Sequence, residues 1–132
     1  MSFKDISQIA GSAMAAQTVR LNTVASNLAN AGSAGSEETA YRARKPVFAS
    51  ILGEGGARVQ VLDVVTMNDP LDKRYEPGNP MADEQGMVFY SNVSPVEEMT
   101  DMMAASRAFS TNAEVLARVK GMQQDLLKLG EG

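Results

Sequence analysis

Both ends of this chain are long stretches free of helix breakers, and almost every turn-forming cluster lies between them. Residues 3–30 contain no proline and one glycine, Gly11. After Pro95, residues 96–129 contain no proline and one glycine, Gly121. Proline and glycine cost a helix interior more than any other residues. The chain is therefore expected to fold as a helix over 1–30, an insert over 31–94 and a longer helix over 95–132. At about 1.5 Å per residue the last helix would be a rod roughly 50 Å long.

The start signals agree with these bounds. Ser2 with Asp5 suits a first helical turn, and Ala31-Gly32 suits its end. Ser94-Pro95-Val96-Glu97 combines a capping hydroxyl, proline at the first helical position and a glutamate three residues on. Glu97, Glu98 and Asp101 place negative charge at the positive end of the helix dipole, and Lys120 and Lys128 lie toward the other end.

Along the first helix Phe3, Ser7, Ala10, Met14, Gln17, Leu21, Val24, Leu28 and Ala31 fall at alternating spacings of three and four, a seam for one partner. Small residues flank that seam, among them Gly11, Ser12, Ala13, Ala15, Ala16 and Ala25, and let neighbouring backbones approach from several sides. The last helix carries two seams. One runs Ala105, Ala108, Asn112, Val115, Val119, Met122, Leu126, Leu129; the other runs Met99, Met102, Ser106, Phe109, Ala113, Leu116. A helix with two apolar faces expects more than one neighbour. The expected architecture is mainly α with a small β insert, its terminal helices paired as an antiparallel coiled coil with short strands and loops between them.

The insert alternates turns with short β-prone runs. Residues 31–39 are rich in glycine, serine and charge and read as loop. Tyr41 to Ile51 suits a strand that Pro46 confines to an edge. Gly53-Glu54-Gly55-Gly56 is a turn, Arg58 to Val65 is the best strand pattern, and Gly86 to Tyr90 is a short final strand. Asp69-Pro70 and Glu76-Pro77-Gly78-Asn79-Pro80 are turns. An insert of this kind is not expected to be stable alone.

Several chemistries lack the residues they need. With no cysteine and no histidine, thiolate catalysis, imidazole acid–base catalysis and the common zinc sites are absent. The formal charge of −4 comes with no basic patch, so neither nucleic acid nor an anionic membrane has an electrostatic footing. No run of about 18 apolar residues offers a membrane span, and the first residues lack the unbroken apolar core of a secretory signal. The acids Asp63, Asp69, Asp72, Glu76, Asp83 and Glu84 match no calcium-loop spacing and read as solvated loop charges. Gly53 to Gly56 fails the dinucleotide pattern, and Met99 to Met103 reads as adaptable packing. No cofactor, metal or small-molecule substrate is expected.

One motif goes further. Ala25-Ser26-Asn27-Leu28-Ala29-Asn30-Ala31 resembles the N-terminal signature of the bacterial flagellar rod and hook family. Tyr41-Arg42-Ala43-Arg44, Tyr75 to Asp83, Asn92-Val93, Glu98-Met99, Ser106-Arg107, Asn112 and Glu114-Val115-Leu116 resemble that family's proximal rod members. The resemblance runs nearly end to end; residues 32–39 and 53–57 depart from it. It implies a structural, non-enzymatic subunit of the flagellar basal body, in the rod that carries motor torque across the periplasm. It implies export without a cleaved signal, through the flagellar type III apparatus. It also implies an inner domain of both terminal helices with the insert outside. The implied partners are copies of the chain itself, the other rod proteins of B, F and G types, and an adaptor at the export gate.

Combined with the seams, this makes the candidate assembly interface Met14, Gln17, Leu21, Val24, Asn27, Leu28, Asn30, Met99, Met102, Phe109, Asn112, Val115, Leu116, Val119, Met122 and Leu126. Asn27 and Asn30 would fix register between subunits by hydrogen bonding; the plainer reading is that Asn30 caps a helix and Asn27 faces water. Arg42, Arg44 and Lys45 either meet an acidic neighbour or form a solvated strand edge. Two rivals remain: a coiled-coil adaptor or export chaperone that never polymerises, and a glycan-cleaving enzyme using paired carboxylates. The enzyme lacks a rigid acid-lined cleft.

Overall fold

The computed structural model describes residues 1–131. Helix α1 spans Phe3–Ala29 and helix α2 spans Pro95–Glu131. Between them lie strands β1 (Ala34–Gly35), β2 (Arg44–Gly53), β3 (Gly56–Thr66), β4 (Asp72–Tyr75) and β5 (Met87–Tyr90). The expected helices form, but the small β insert is a misjudgement: about 24 % of the chain is strand, arranged in two antiparallel sheets. β1 lies in the stretch read as loop, and β4 lies between the two expected turns, where no element was expected; both are strands. A coiled coil is not shown either, because the face of α1 that does not meet α2 is occupied by sheet.

β2 and β3 form one long hairpin closed by Glu54-Gly55. Gly56 sits at φ +104°, a conformation that a side chain resists. Pro46 lies opposite Val64 in a two-stranded sheet, where each strand is an edge and the missing N–H costs no ladder bond. A register shift after Val47 sets Phe48 against Val61 and leaves Leu62 as the extra residue, 60 % exposed.

The hairpin folds back along α1. The hydroxyl of Ser12 accepts from the Val59 N–H at 3.1 Å, and Arg58 donates to Gln8 Oε1 at 2.8 Å. At the tip, a Cβ on Gly55 would stand 2.6 Å from Asp5 Oδ1. The small residues of α1 therefore serve two neighbours, and one of them is the chain's own sheet. Helix α2 lies on another side of α1. Arg20 donates from Nε to Asp101 Oδ1 at 2.7 Å and makes a second contact to the same oxygen from its terminal guanidinium nitrogen. With both side chains part-exposed, such a pair contributes about 0.5 kcal/mol and chiefly fixes register.

The α1 start forms a full capping box, with the Asp5 N–H donating to Ser2 Oγ and the Ser2 N–H to Asp5 Oδ2. The Ser2 N–H first and the Ser2 hydroxyl second, both donating to Asp5 Oδ2 at 2.8 Å, hold the Asp5 carboxyl below its ordinary range. At Pro95 the expected box is not drawn among the described residues. The Ser94 carbonyl accepts the Glu98 N–H at 3.0 Å, so backbone and proline set that end.

Between the helices of the chain, Val88, Phe89, Val93, Ala40 and Ala43 are buried, as is Val24 of α1. The three-stranded sheet, in order β1-β5-β4, supplies Val88 and Phe89. Asn92 ties this region together: its Oδ1 accepts from the Ala43 N–H at 2.6 Å, and its Nδ2 donates to the Asp69 carbonyl at 3.0 Å.

The β4–β5 connection carries a titration signature. Glu76 accepts from Asn79 Nδ2 at 3.0 Å and from the Tyr90 hydroxyl at 2.9 Å. The Asn79 bond first and the Tyr90 bond second hold its carboxyl below the usual glutamate range. The same carboxylate raises the Tyr90 hydroxyl. A depressed carboxyl stabilises the fold above its unfolded pKa, and that contribution is lost as pH falls through the folded value. The raised tyrosine contributes below its own unfolded pKa and loses that at alkaline pH. Carboxyl NMR titration of Glu76 should move upward in Asn79→Ala, and by less in Tyr90→Phe; no movement in either variant would contradict the assignment.

Candidate assembly surface

α2 is 37 residues long and α1 is 27, so α2 outruns its partner by about 15 Å. The covered residues of α2 show where support ends. Glu98, Ala105 and Val119 are buried, and Met102, Phe109, Asn112, Val115 and Leu116 are half-buried on the same side. From Met122 to Glu131 every residue is exposed. Met122, Leu126 and Leu129, at spacings of four and three, prolong the line of Val115 and Val119 past the end of α1 and are 48, 54 and 78 % exposed. Leu127 lies beside them, also exposed.

The two seams expected on α2 merge into one. Asn112, Val115 and Val119 from the first and Met102, Phe109 and Leu116 from the second all turn toward α1, because a single helix footprint is wider than one line of residues. Met99 is exposed, and so are Val96 and Met103, which from sequence belonged only to the helix start and the methionine run and not to the interface. Val96 and Met103, seven residues apart, repeat at helical spacing and could have been found from it.

On α1 the candidate residues divide differently. Val24 is buried, and Met14, Gln17, Leu21 and Leu28 are half-buried. Gln17 Oε1 accepts from Arg20. Asn27 is 1 % exposed, and both polar atoms of its amide form hydrogen bonds within the chain. Its Oδ1 accepts from the Arg44 N–H at 3.0 Å and the Tyr41 hydroxyl at 2.8 Å, while Nδ2 donates to the Arg44 carbonyl at 2.9 Å. Asn30 is the C-cap, donating from Nδ2 to the Ser26 carbonyl at 2.8 Å. Asn112 donates to the Ala108 carbonyl of its own helix. Of the basic cluster, Arg44 stacks near the Tyr41 ring at 5.8 Å.

A cleft of about 490 Å³ opens between the first turns of α2 and the start of β2, with Arg20 of α1 between them. Pro46, Phe48, Val96 and Ala104 give it apolar walls; Lys45, Glu97 and Glu98 give it charge. No group of acidic residues among those described is arranged to hold a metal ion, and no described helix is long and apolar enough to cross a membrane. Exposed apolar side chains thus lie at both ends of α2, Val96, Met99 and Met103 at one and Met122, Leu126 and Leu129 at the other.

Two family descriptions match the chain. "Flagella basal body rod protein" matches residues 8–35 and "Flagellar basal body rod FlgEFG protein C-terminal" matches residues 84–129. The chain is 46 % identical to the flagellar basal-body rod protein FlgC of Escherichia coli O6:H1, over 99 % of this chain and 100 % of that protein. The FlgC of Salmonella typhimurium gives the same identity and coverage. The FlgC of Agrobacterium fabrum is 37 % identical over 95 % of each chain.

Proposed function

Because this chain belongs to the FlgC family of flagellar basal-body rod proteins, as a structural subunit and not an enzyme, we propose that it polymerises through its terminal helices into the axial tube that transmits motor torque. Its place is the flagellar basal body, where rod proteins assemble with other rod components. The finer reading puts it in the periplasmic part of the rod, after export without a cleaved signal. Its neighbours there are copies of itself and rod proteins of the B, F and G types, with an adaptor at the export gate as an earlier contact.

The observation that supports polymerisation is the apolar stripe Met122–Leu126–Leu129 on turns that no other element of the chain covers. Fully burying side chains of this size is worth about 1.5–3 kcal/mol each. That gain is available only to a neighbouring chain. The candidate interface on Met14, Gln17, Leu21, Leu28, Met99, Met102, Phe109, Val115 and Leu116 would extend the contact along both helices, on the sides that intrachain packing leaves half-covered.

The natural chain has no cysteine, so single cysteines report contacts cleanly. In basal bodies isolated from cells carrying Met122→Cys, a thiol-directed benzophenone attached at that position is expected on illumination to link this chain covalently to a neighbour. Ser36→Cys, on the expected outer loop, should remain unlinked. Linkage at Ser36 and none at Met122 would overturn the reading.

A further inference from the structure

Glu98 is 7 % exposed, and its Oε2 is sealed from water with no hydrogen-bond donor among the described residues. Buried carboxylates are found paired, because a desolvated charge without a partner is costly. Glu98 lines the cleft between α2 and β2, and so does Lys45, which makes no ion pair among the described residues. Among the described residues the cleft thus holds two carboxylates without an ion pair, buried Glu98 and exposed Glu97, and one such cation, Lys45, between apolar walls that include Phe48 and Val96.

The exposed end of α2 has the complementary character. Asp125, Lys128 and Glu131 follow one another at spacings of three, beside the apolar Leu126 and Leu129. The stretch 122–131 is about 15 Å long, and the wall of the cleft from Val96 to Ala104 is about 12 Å long. The cleft borders the first turns of α2 and the overhang is its last, so no chain can fill its own cleft. A contact between different patches of identical chains passes from copy to copy, closing as a ring where the rotation allows and otherwise growing as a helical array.

We infer that the cleft between α2 and β2 receives the C-terminal turns of a second copy of this chain, with the Lys128 ammonium pairing with the Glu98 carboxylate. Asp125 or Glu131 of the incoming helix then faces Lys45. The broad terminal torsion of a glutamate lets the sealed oxygen turn toward the arriving cation. The inference rests on polymerisation through the terminal helices and adds which surface receives which.

The test uses the full-length protein at rising concentration in sedimentation velocity, followed by zero-length carbodiimide cross-linking of a mixture of isotopically light and heavy copies. Wild type should associate and yield a Glu98–Lys128 cross-link joining one light and one heavy chain. Glu98→Gln and Lys128→Glu should each weaken association about thirtyfold or more, the lower range for losing one partner of a buried pair. Glu98→Gln should not lower the thermal midpoint of the dilute chain, as it would if Glu98 served only the fold. Lys128 is exposed, so its variant keeps the test decisive should Glu98→Gln misfold. Association lost on removing 122–132 but unchanged in both charge variants would overturn this pairing and leave polymerisation standing. Chains that remain monomeric throughout, and join only a different rod protein, would overturn the second copy as occupant.

Discussion

Asn27→Ala is expected to destabilise the isolated chain by about 3 kcal/mol, measured as a lower urea midpoint at a concentration where the protein is monomeric. The estimate follows from what the amide holds. Its removal strands the Arg44 N–H and the Arg44 carbonyl, and leaves the Tyr41 hydroxyl only its bond with Ser26 Oγ, around a site that is 1 % exposed. Each buried polar group left without a partner costs roughly 1–3 kcal/mol. Water reaching the exposed Arg44 backbone keeps the total well below the sum of the upper values. Asn27→Asp keeps both acceptor contacts but buries a carboxylate and turns one of its oxygens toward the Arg44 carbonyl, so at neutral pH it should be at least as destabilising as alanine. An alanine variant within 0.5 kcal/mol of wild type would mean that Asn27 does not fasten α1 to the sheet.

Removing residues 122–132 is expected to do the reverse: the monomer stays folded and assembly stops. Every residue from 122 to 131 is exposed, so the thermal midpoint of the dilute chain should hardly change. Losing Met122, Leu126, Leu127 and Leu129 together removes several kcal/mol of burial available to a neighbour. That corresponds to at least a thousandfold loss of association, since about 4 kcal/mol is three decades. Swarming in soft agar should therefore be abolished while the truncated protein accumulates normally. Normal swarming would place the assembly contacts elsewhere, and a lower thermal midpoint would mean that the last turns support the monomer.

Much of the fold was legible, and the parts that were not share a cause. Both helices could be read from local signals, since helical spacing, Ser2, Asp5 and Pro95 all act within a few residues. The turn at Gly53 to Gly56 and the alternation from Arg58 to Val65 also announced themselves. Where that hairpin docks did not, because its contacts with Ser12, Gln8 and Asp5 join residues roughly fifty positions apart. As a result the small residues of α1 were taken as surface for other chains, when part of it is spent on the chain's own sheet. β4 was missed because Asp72-Lys73-Arg74-Tyr75 has no apolar alternation. Its strand exists because β5 offers a free edge, and Arg74 lies 4.3 Å over the Tyr90 ring.

Among the candidate interface residues, the apolar end of α2 was readable from spacing alone. The environment of Asn27 was not, since nothing near it in sequence says that residues 41–44 return to it. Glu98 looked like an ordinary helix-start acid, and only the tertiary packing that buries it distinguishes it from the exposed Glu97.

The position of α1 between two later parts of the chain also governs the order of events in time. Synthesis proceeds from the N-terminus, so α1 emerges first and has nothing to lean on. Its first cover, residues 44–66, arrives only after the helix is complete, and its second arrives with the final third of the polypeptide. A lone α1 sequence is a weak helix in water. The molecule therefore stays pliable until nearly all of it has been made, and it stiffens last along α2.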